Sequence, residues 1–401
     1  MRTLDPPIKV IGPEKCAGCF SCYNTCPFNA IEMKENPEGF YYPKINENCT
    51  ECGVCQKFCP VINPIRSEDA YSSPKFYAGW SRDENIRLQS SSGGIFTEIA
   101  RYILEKKGTV YGVALKNLKA QHIKVENEEE LELFRGSKYL QSDVGLIYKD
   151  VITEAKNRLV LFSGTPCQVA ALNTFLKESQ YKDAVITVGV VCYGVPSHAF
   201  FKKYIEWTER RCNKKVVDIK FRDKRRGWEN PSITIKFEDG SEMSKPHPYD
   251  LFFRGYPFLL RSSCYNCPFA LIPRFEDITL GDFWGAPESL RDRKGVSVIL
   301  ANTKIGEDVL EVLKRTKKIE LLEVGYETAT RHNPRLVTGK LRIPKERDRA
   351  LADIQSLDFE EFRQKYFKTS NIVILKLYYI ILKILKRTPW LRKFLKKILR
   401  R

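Results

Sequence analysis

Eight cysteines near the N-terminus have the types and the spacing of metal ligands. They form two blocks with the same pattern, two residues between the first three cysteines and three residues before the fourth, which proline follows. Two-residue gaps let three thiolates of one tight loop converge on one 4Fe–4S cluster, and the fourth cysteine of such a block ligates the other cluster. The two predicted ligand sets are Cys16, Cys19, Cys22 and Cys59, and Cys49, Cys52, Cys55 and Cys26.

A disulfide knot and a pair of zinc sites are the alternatives for this segment. The duplicated spacing, with Pro27 and Pro60 in equivalent places, favours clusters over both. Over about its first 60 residues the chain resembles the bacterial two-cluster ferredoxin, a small α+β domain. The chemistry that this segment implies is electron transfer.

Four later cysteines form a second group. Cys167 follows a predicted strand and opens a predicted helix, whose N-terminus favours a thiolate. Cys192 follows another apolar strand, 185–191, and Cys264 and Cys267 repeat the two-residue gap. If the two strands are parallel neighbours, their cysteines emerge at the same sheet edge. The four can complete a third 4Fe–4S cluster; a structural zinc site and a redox-active Cys167 are the alternatives.

Cys212 lies outside these motifs and is predicted to be inert. Clusters release electrons singly, so ordinary substrate chemistry needs a two-electron carrier, for which flavin is the usual choice. The sequence has neither a G-x-G-x-x-G fingerprint nor a Walker A loop, so it does not support a Rossmann-type site. Instead, Ser90–Gly94 opens a predicted helix over 95–106, where small residues let a phosphate approach the amides. A plain serine N-cap is the alternative. The loop Gly136–Tyr139 adds a hydroxyl, a cation and an aromatic face.

The elements that must position these residues fall into six segments. The predicted boundaries are 1–62 for the ferredoxin domain, 63–74 for a polar linker, 75–155 and 156–335 for two parts of a main domain, 336–370 for a charged helical segment and 371–401 for a basic tail. In the main domain, strand-like runs precede helical patterns, as in 158–162 before 168–176 and 297–301 before 307–313. This alternation predicts an α/β domain with a partly parallel sheet.

Five motifs of the main domain occur in one order and point to a known family. They are Ser91–Gly94, Gly136–Ser142, Ser163–Gln168, Cys192–Pro196 and Gly281–Gly285. Together they resemble the family of coenzyme F420 (deazaflavin) hydrogenase/dehydrogenase beta subunits over about residues 75–330. The resemblance implies an FAD-binding α/β domain that passes electrons between iron–sulfur clusters and a hydride-type partner, for which coenzyme F420 is the candidate. The contacts implied for FAD are Ser92, Gly93, Gly94, Ser137, Lys138 and Tyr139, and the ligands implied for a cluster are Cys167, Cys192, Cys264 and Cys267.

The resulting hypothesis is an FAD- and iron–sulfur-dependent oxidoreductase with a ferredoxin-type or other redox partner protein. A non-catalytic electron-relay subunit and a membrane-associated reductase of a lipid-linked or sugar intermediate remain open. No residue is assigned to catalysis, although His198 is a candidate proton donor near Cys192. The basic run Phe221–Trp228 could hold a polyanionic substrate or the flavin pyrophosphate, or be a solvated hairpin end. Asp282 could orient a base or a ligand, or form a turn.

The net charge of +18 is concentrated at the C-terminal end, where residues 371–401 hold ten Lys and Arg and no acidic residue. The apolar run 372–385 is shorter than the roughly 20 residues that span a bilayer. We predict an amphipathic helix in the plane of an anionic membrane, with docking onto a protein as the alternative and no nucleic-acid partner. The clustered cysteines and the lack of a signal-peptide pattern predict the cytoplasm, at the inner face of the cell membrane.

Overall fold

The computed structural model of the chain describes residues 4–67 and 69–367, in which the strands form three sheets. The strands are β1 Ile31–Glu35, β2 Tyr41–Ile45, β3 Ala70–Ser81, β4 Thr109–Lys116, β5 Lys119–Val125, β6 Val160–Gly164, β7 Val185–Val190, β8 Val216–Asp223, β9 Ser232–Phe237, β10 Glu242–Pro246, β11 Ile278–Asp282, β12 Ser297–Thr303 and β13 Ile319–Glu323. The helices are α1 Pro7–Lys15, α2 Ser21–Thr25, α3 Val54–Lys57, α4 Glu84–Gln89, α5 Ile95–Glu105, α6 Ile147–Glu154, α7 Pro166–Leu176, α8 His198–Cys212, α9 Leu251–Gly255, α10 Lys304–Arg315, α11 Tyr326–Thr330, α12 Arg347–Ser356 and α13 Phe359–Tyr366.

The main sheet has eight strands in the order β13-β3-β12-β11-β7-β6-β4-β5. The central pairs β11–β7, β7–β6 and β6–β4 are parallel, and the outer pairs are antiparallel. The central strand β6 is buried because helices cover both faces. Leu161 packs with α5 and α10, whereas Val160 and Phe162 pack with α6 and α7 on the opposite face. The mixed α/β fold with a partly parallel sheet is therefore confirmed.

The ferredoxin segment packs against this sheet rather than standing apart from it. Phe20, only 2% exposed, joins the core that Tyr148 and Phe162 form on the α6 and α7 side. The Asn24 side chain donates to the carbonyl of Gly145 at 2.8 Å. The segment 63–74, predicted to be a linker, already contains the start of a strand, because β3 begins at Ala70.

A second, three-stranded sheet of β10, β9 and β8 was not expected from the sequence. It shares an aromatic core with α8, α12 and α13, in which Phe200 stacks on Phe252 and contacts Phe359. The helix expected over 358–367 is α13, which Asp358 caps. The tail 371–401 lies outside the described residues. Among the residues described, no helix has the length and apolar character needed to cross a membrane.

Candidate iron–sulfur and flavin sites

The parallel pairing of β6 and β7 brings Cys167 and Cys192 to the same edge of the sheet, as the sequence predicts. Cys167 lies in the first turn of α7, which a capping box begins. There Thr165 Oγ1 and Gln168 Oε1 are 2.9 Å apart, and Gln168 Oε1 also accepts from the Thr165 amide. Thr165 Oγ1 lies 3.2 Å from Cys167 Sγ. The helix cap thus fixes the position of the sulfur.

Cys264 and Cys267 face these two cysteines across one cavity. All four line it, together with Lys15, Ala17, Gln141, Gly194, Phe269 and Arg335. Arg335, which is only 3% exposed, donates from Nε to the carbonyl of Cys192 at 3.1 Å and from Nη2 to that of Cys264 at 3.3 Å. The amide of Cys267 donates to the carbonyl of Gly339 at 2.8 Å. Residues far apart in sequence therefore hold the four thiols in one place.

For three thiols of this four-cysteine site, those of Cys167, Cys192 and Cys264, burial is the largest influence on the pKa. It raises the pKa of Cys192 to about 11 and that of Cys264 to about 12, and the nearby Arg335 and Arg261 charges oppose the rise at Cys192 and Cys264 respectively. The expected lowering of the Cys167 pKa at a helix N-terminus is wrong, because burial raises it. Such thiols ionise when a metal replaces their protons.

The donor set of this cavity fits a 4Fe–4S cluster, because four cysteine sulfurs and a buried cation surround it and none of the described residues brings a carboxylate to its lining. Among the residues the structure describes, no three Cys, His, Asp or Glu side chains close around a single ion. A cubane does not need that arrangement, since each thiolate binds a different iron.

The ferredoxin cysteines meet across the two sequence blocks. Cys26 of the first block lines a cavity with Cys49, Cys52 and Cys55 of the second, which is the second ligand set expected from the spacing. In the other set, burial raises the pKa of Cys22, and the charges of Cys16 and Cys59 raise it further.

The first ligand set adjoins the four-cysteine site. Burial raises the pKa of Cys19, and both Cys59 and Cys167 add to that rise because they lie close by. The hydroxyl of the buried Tyr148 donates to the carbonyl of Cys19 at 2.8 Å. Ala17, between the first two cysteines of the chain, lines the cavity of the four-cysteine site. The first ligand set therefore lies next to the four-cysteine site.

The two loops proposed to contact flavin also meet. Ser91 Oγ lies 2.8 Å from Ser137 Oγ and accepts from the Ser137 amide at 2.7 Å. The N-cap of α5 is Gly94, with a φ of 85°, so the alternative of a serine N-cap is wrong. The Ser92 hydroxyl donates to the carbonyl of Val296. Ser92 and Gly94 therefore shape the turn rather than capping the helix with a side chain.

Lys138 and Tyr139 occupy the neighbouring loop. Lys138 Nζ donates to the carbonyls of Leu133 and Arg135 at 2.8 and 3.1 Å, and burial lowers its pKa to about 7. The ring of Tyr139 is 5.5 Å from that of Tyr256. An ammonium has three donors, so one N–H of Lys138 stays available to a ligand.

Tyr256 connects this loop with the four-cysteine site. Its hydroxyl donates to the carbonyl of Gly194, a residue that lines the cysteine cavity, at 2.6 Å. Its ring also lies 6.3 Å from that of Tyr193, which follows Cys192. An aromatic layer therefore joins the candidate flavin loops to the four cysteines.

The basic run Phe221–Trp228 is only in part a solvated hairpin end, because β8 includes its first three residues and Trp228 is fully buried. The buried Arg222 pairs with Asp282 at 2.5 Å, and Trp228 Nε1 donates to the same carboxylate at 2.7 Å. Trp228 stacks on Trp284 at 5.3 Å. Asp282 thus orients an arginine and an indole.

His198, the candidate proton donor, contacts the ferredoxin domain. His198 begins α8, and its Nδ1 lies 2.7 Å from Glu35 in the ferredoxin hairpin, so it connects the two domains. No sequence motif marks His122, whose Nε2 lies 3.1 Å from the carbonyl oxygen of Ser163 and whose Nδ1 lies 3.0 Å from Ser142 Oγ. Burial lowers its pKa to about 4, so it is neutral at physiological pH.

Models of known families match both parts of the main domain and the ferredoxin segment. Residues 76–147 match the model of the N-terminal part of the coenzyme F420 hydrogenase/dehydrogenase beta subunit, and residues 157–325 match that of its C terminus. Residues 9–67 match a 4Fe-4S dicluster domain. The two beta-subunit models together cover more than half of the chain, in the order that the family requires.

Individual relatives are distant. One subunit of the F(420)H(2) dehydrogenase of Methanosarcina mazei is 23% identical over 328 residues, which are 79% of this chain and 86% of that protein. A ferredoxin of Methanocaldococcus jannaschii is 35% identical over 67 residues, 15% of this chain and 87% of that protein. A chain of the F420-reducing [NiFe] hydrogenase complex from Methanosarcina barkeri aligns with a TM-score of 0.47 at 18% identity, over 64% of this chain and 84% of that chain.

The family models and the dicluster model account for the ferredoxin cysteines and the main-domain motifs together. This chain belongs to the family of coenzyme F420 hydrogenase/dehydrogenase beta subunits and carries a 4Fe–4S dicluster domain before the family domain.

Proposed function

We propose that this chain is an iron–sulfur flavoprotein oxidoreductase that passes electrons between its ferredoxin clusters and a hydride carrier such as coenzyme F420. The observation that carries the proposal is the position of the four-cysteine site. It adjoins Cys19 of the ferredoxin domain on one side, and Tyr256 joins it to the loop of Lys138 on the other. The four cysteines would hold a third 4Fe–4S cluster between the two.

FAD would lie against the turn of Ser92–Gly94 and the loop of Ser137–Tyr139, which contact each other through Ser91. Bound flavin supplies the conversion between a two-electron hydride step and single-electron transfer. Lys138 would direct its free N–H to a phosphate, which would stabilise the charged form of a lysine that burial otherwise disfavours. Catalytic proton transfer is not assigned to any side chain.

We also propose a partner and a location for this chain. The relative from Methanosarcina mazei is named as a dehydrogenase subunit, so a redox partner protein is proposed for this chain, in the cytoplasm. The rival is a relay subunit that carries clusters but no flavin and only connects a separate enzyme. The basic tail suggests a further alternative function, a membrane-associated reductase of a lipid-linked or sugar intermediate.

Mixing the anaerobically purified protein with reduced coenzyme F420 tests the function. We expect bound FAD, fast bleaching of its absorbance and then of the cluster absorbance, and no such bleaching with NADH or NADPH. Replacing Lys138 with Met should lower the FAD content, whereas the exposed Lys156→Met should not. If the protein holds no flavin even after incubation with FAD, the relay function replaces the one proposed.

The basic tail is proposed to attach the protein to anionic lipid. Removing residues 371–401 should leave the cofactors bound and abolish co-sedimentation with phosphatidylserine vesicles, because ten positive charges are lost. Binding of the full chain should weaken as salt rises. Equal sedimentation of the full and shortened chains would contradict the membrane proposal, and sedimentation with a partner protein only would favour the docking alternative.

A further inference from the structure

Arg261 lies between the first ferredoxin block and the loop of Cys264. Its side chain is 0% exposed, and Nε donates to the carbonyl of Cys16 at 2.7 Å. Nη2 donates to the carbonyl of Tyr41 at 2.8 Å, and Nη1 to Gln141 Oε1 at 3.2 Å. Its own carbonyl accepts from the amide of Cys264 at 3.0 Å. One residue therefore contacts ligand loops of two different sites.

The charge of this arginine has no carboxylate partner among residues 4–67 and 69–367. Its guanidinium bonds to the carbonyl oxygens and the amide oxygen described above, and it lies 4.2 Å from the centre of the Tyr42 ring. A buried cation costs several kcal/mol unless negative charge compensates it. Candidates for that charge are the thiolates of the two ligand sets, because Arg261 bonds to the carbonyl of Cys16 and lies three residues before Cys264.

Gln141 holds the same ferredoxin loop without adding charge. Its Nε2 donates to the carbonyl of Gly18 at 2.8 Å and to that of Ala17 at 3.2 Å, while its Oε1 accepts from Arg261. Gly18 has a φ of 60°, and a Cβ there would lie 2.8 Å from Arg261 Nη1. The two-residue gap between Cys16 and Cys19 thus has a glycine where the arginine approaches.

We infer that Arg261 is a positioning residue that joins the first ferredoxin cluster to the four-cysteine site and raises the reduction potentials of both clusters. A nearby positive charge stabilises the reduced, more negative state of a cluster, and net charge around a cluster is one of the determinants of its potential. Direct bonds to the loop of Cys16 also keep the two ligand sets adjacent. The part that concerns the four-cysteine site rests on the proposed function.

Redox titration of the full chain, followed by electron paramagnetic resonance, tests this role. Arg261→Gln should lower the reduction potential of both clusters by about 59 mV. For a one-electron couple at a fixed potential, this is about a tenfold fall in the ratio of reduced to oxidised cluster. Arg261→Lys keeps the positive charge and should change the reduction potentials less. Gln141→Leu removes bonds to the same loop but no charge. Arg158→Gln is the charge control, because Glu126 and Glu154 already balance Arg158.

The results of this titration distinguish a failure of the role of Arg261 from a failure of the proposed function. Unchanged potentials in Arg261→Gln with full iron content would overturn it, and so would equal shifts in Gln141→Leu, which would make the role purely structural. A shift in Arg261→Gln alone, partly restored by lysine, supports it. If the unsubstituted chain shows only two clusters, the proposed third cluster fails, and the shift of the first ferredoxin cluster still decides the role of Arg261.

Discussion

Replacing Cys264 with serine is expected to stop electron transfer between FAD and the ferredoxin clusters while both stay bound. Cys264 is one of four cysteines around one cavity, so its loss should remove that cluster and about four irons per chain. FAD binding should persist, because the loops proposed to hold it are distinct from the cysteine loops. Stopped-flow absorbance after mixing with reduced coenzyme F420 measures flavin and cluster reduction separately.

A second cysteine provides the control for this experiment. Cys212, at the end of α8, is half-buried and lies outside the proposed ligand sets. Cys212→Ser should keep both the iron content and the rate of cluster reduction. Normal cluster reduction in Cys264→Ser would show that electrons bypass the four-cysteine site, and the proposed path would then be wrong.

Replacing Gly93 with alanine is expected to destabilise the protein by about 3 kcal/mol, the cost of forcing extra atoms into a packed core. A Cβ at Gly93 would lie 2.4 Å from the carbonyl oxygen of Gly79 and 2.9 Å from Ser297 Oγ. Gly93 also donates to Ser297 Oγ and accepts from the amide of Ser81. The glycine is therefore required by the contacts of its turn with β3 and β12. Thermal unfolding of the purified protein measures the loss.

Gly136 is the matched control, because it lies in the other candidate flavin loop and a Cβ there meets nothing within 4 Å. Its φ of 81° makes Gly136→Ala cost about 1 kcal/mol from backbone strain alone. The Gly93 variant should thus unfold at a clearly lower temperature than the Gly136 variant. Equal unfolding temperatures would contradict the packing around Gly93.

Local sequence patterns were sufficient to predict the parts of the molecule that depend on neighbouring residues. The spacing of the cysteine blocks predicted that Cys26 joins the second ligand set, and the structure brings it to Cys49 and Cys55. Apolar runs predicted β6 and β7, and their parallel pairing places Cys167 beside Cys192 as expected. These features follow from periodicity and from loop geometry, both of which a sequence displays directly.

Features that depend on distant pairing could not be predicted in the same way. Arg261 bonds to Cys16, 245 positions away, and Arg335 bonds to Cys192, 143 positions away, so no local pattern marks either arginine. Trp228 contacts Asp282 and Trp284, more than 50 positions away, so the basic run alone left open whether it binds an anion or forms a solvated hairpin end. Burial also reversed the acidity expected for Cys167 at its helix N-terminus.

The third cluster, proposed for the four-cysteine site, would lie between the ferredoxin domain and the flavin. Iron and acid-labile sulfide, measured per chain in the anaerobically reconstituted protein, test it most directly. Twelve cysteines in three sets of four predict about twelve irons and about twelve sulfides. Saturation near eight of each, with or without zinc, would contradict the claim, because the ferredoxin domain alone accounts for eight.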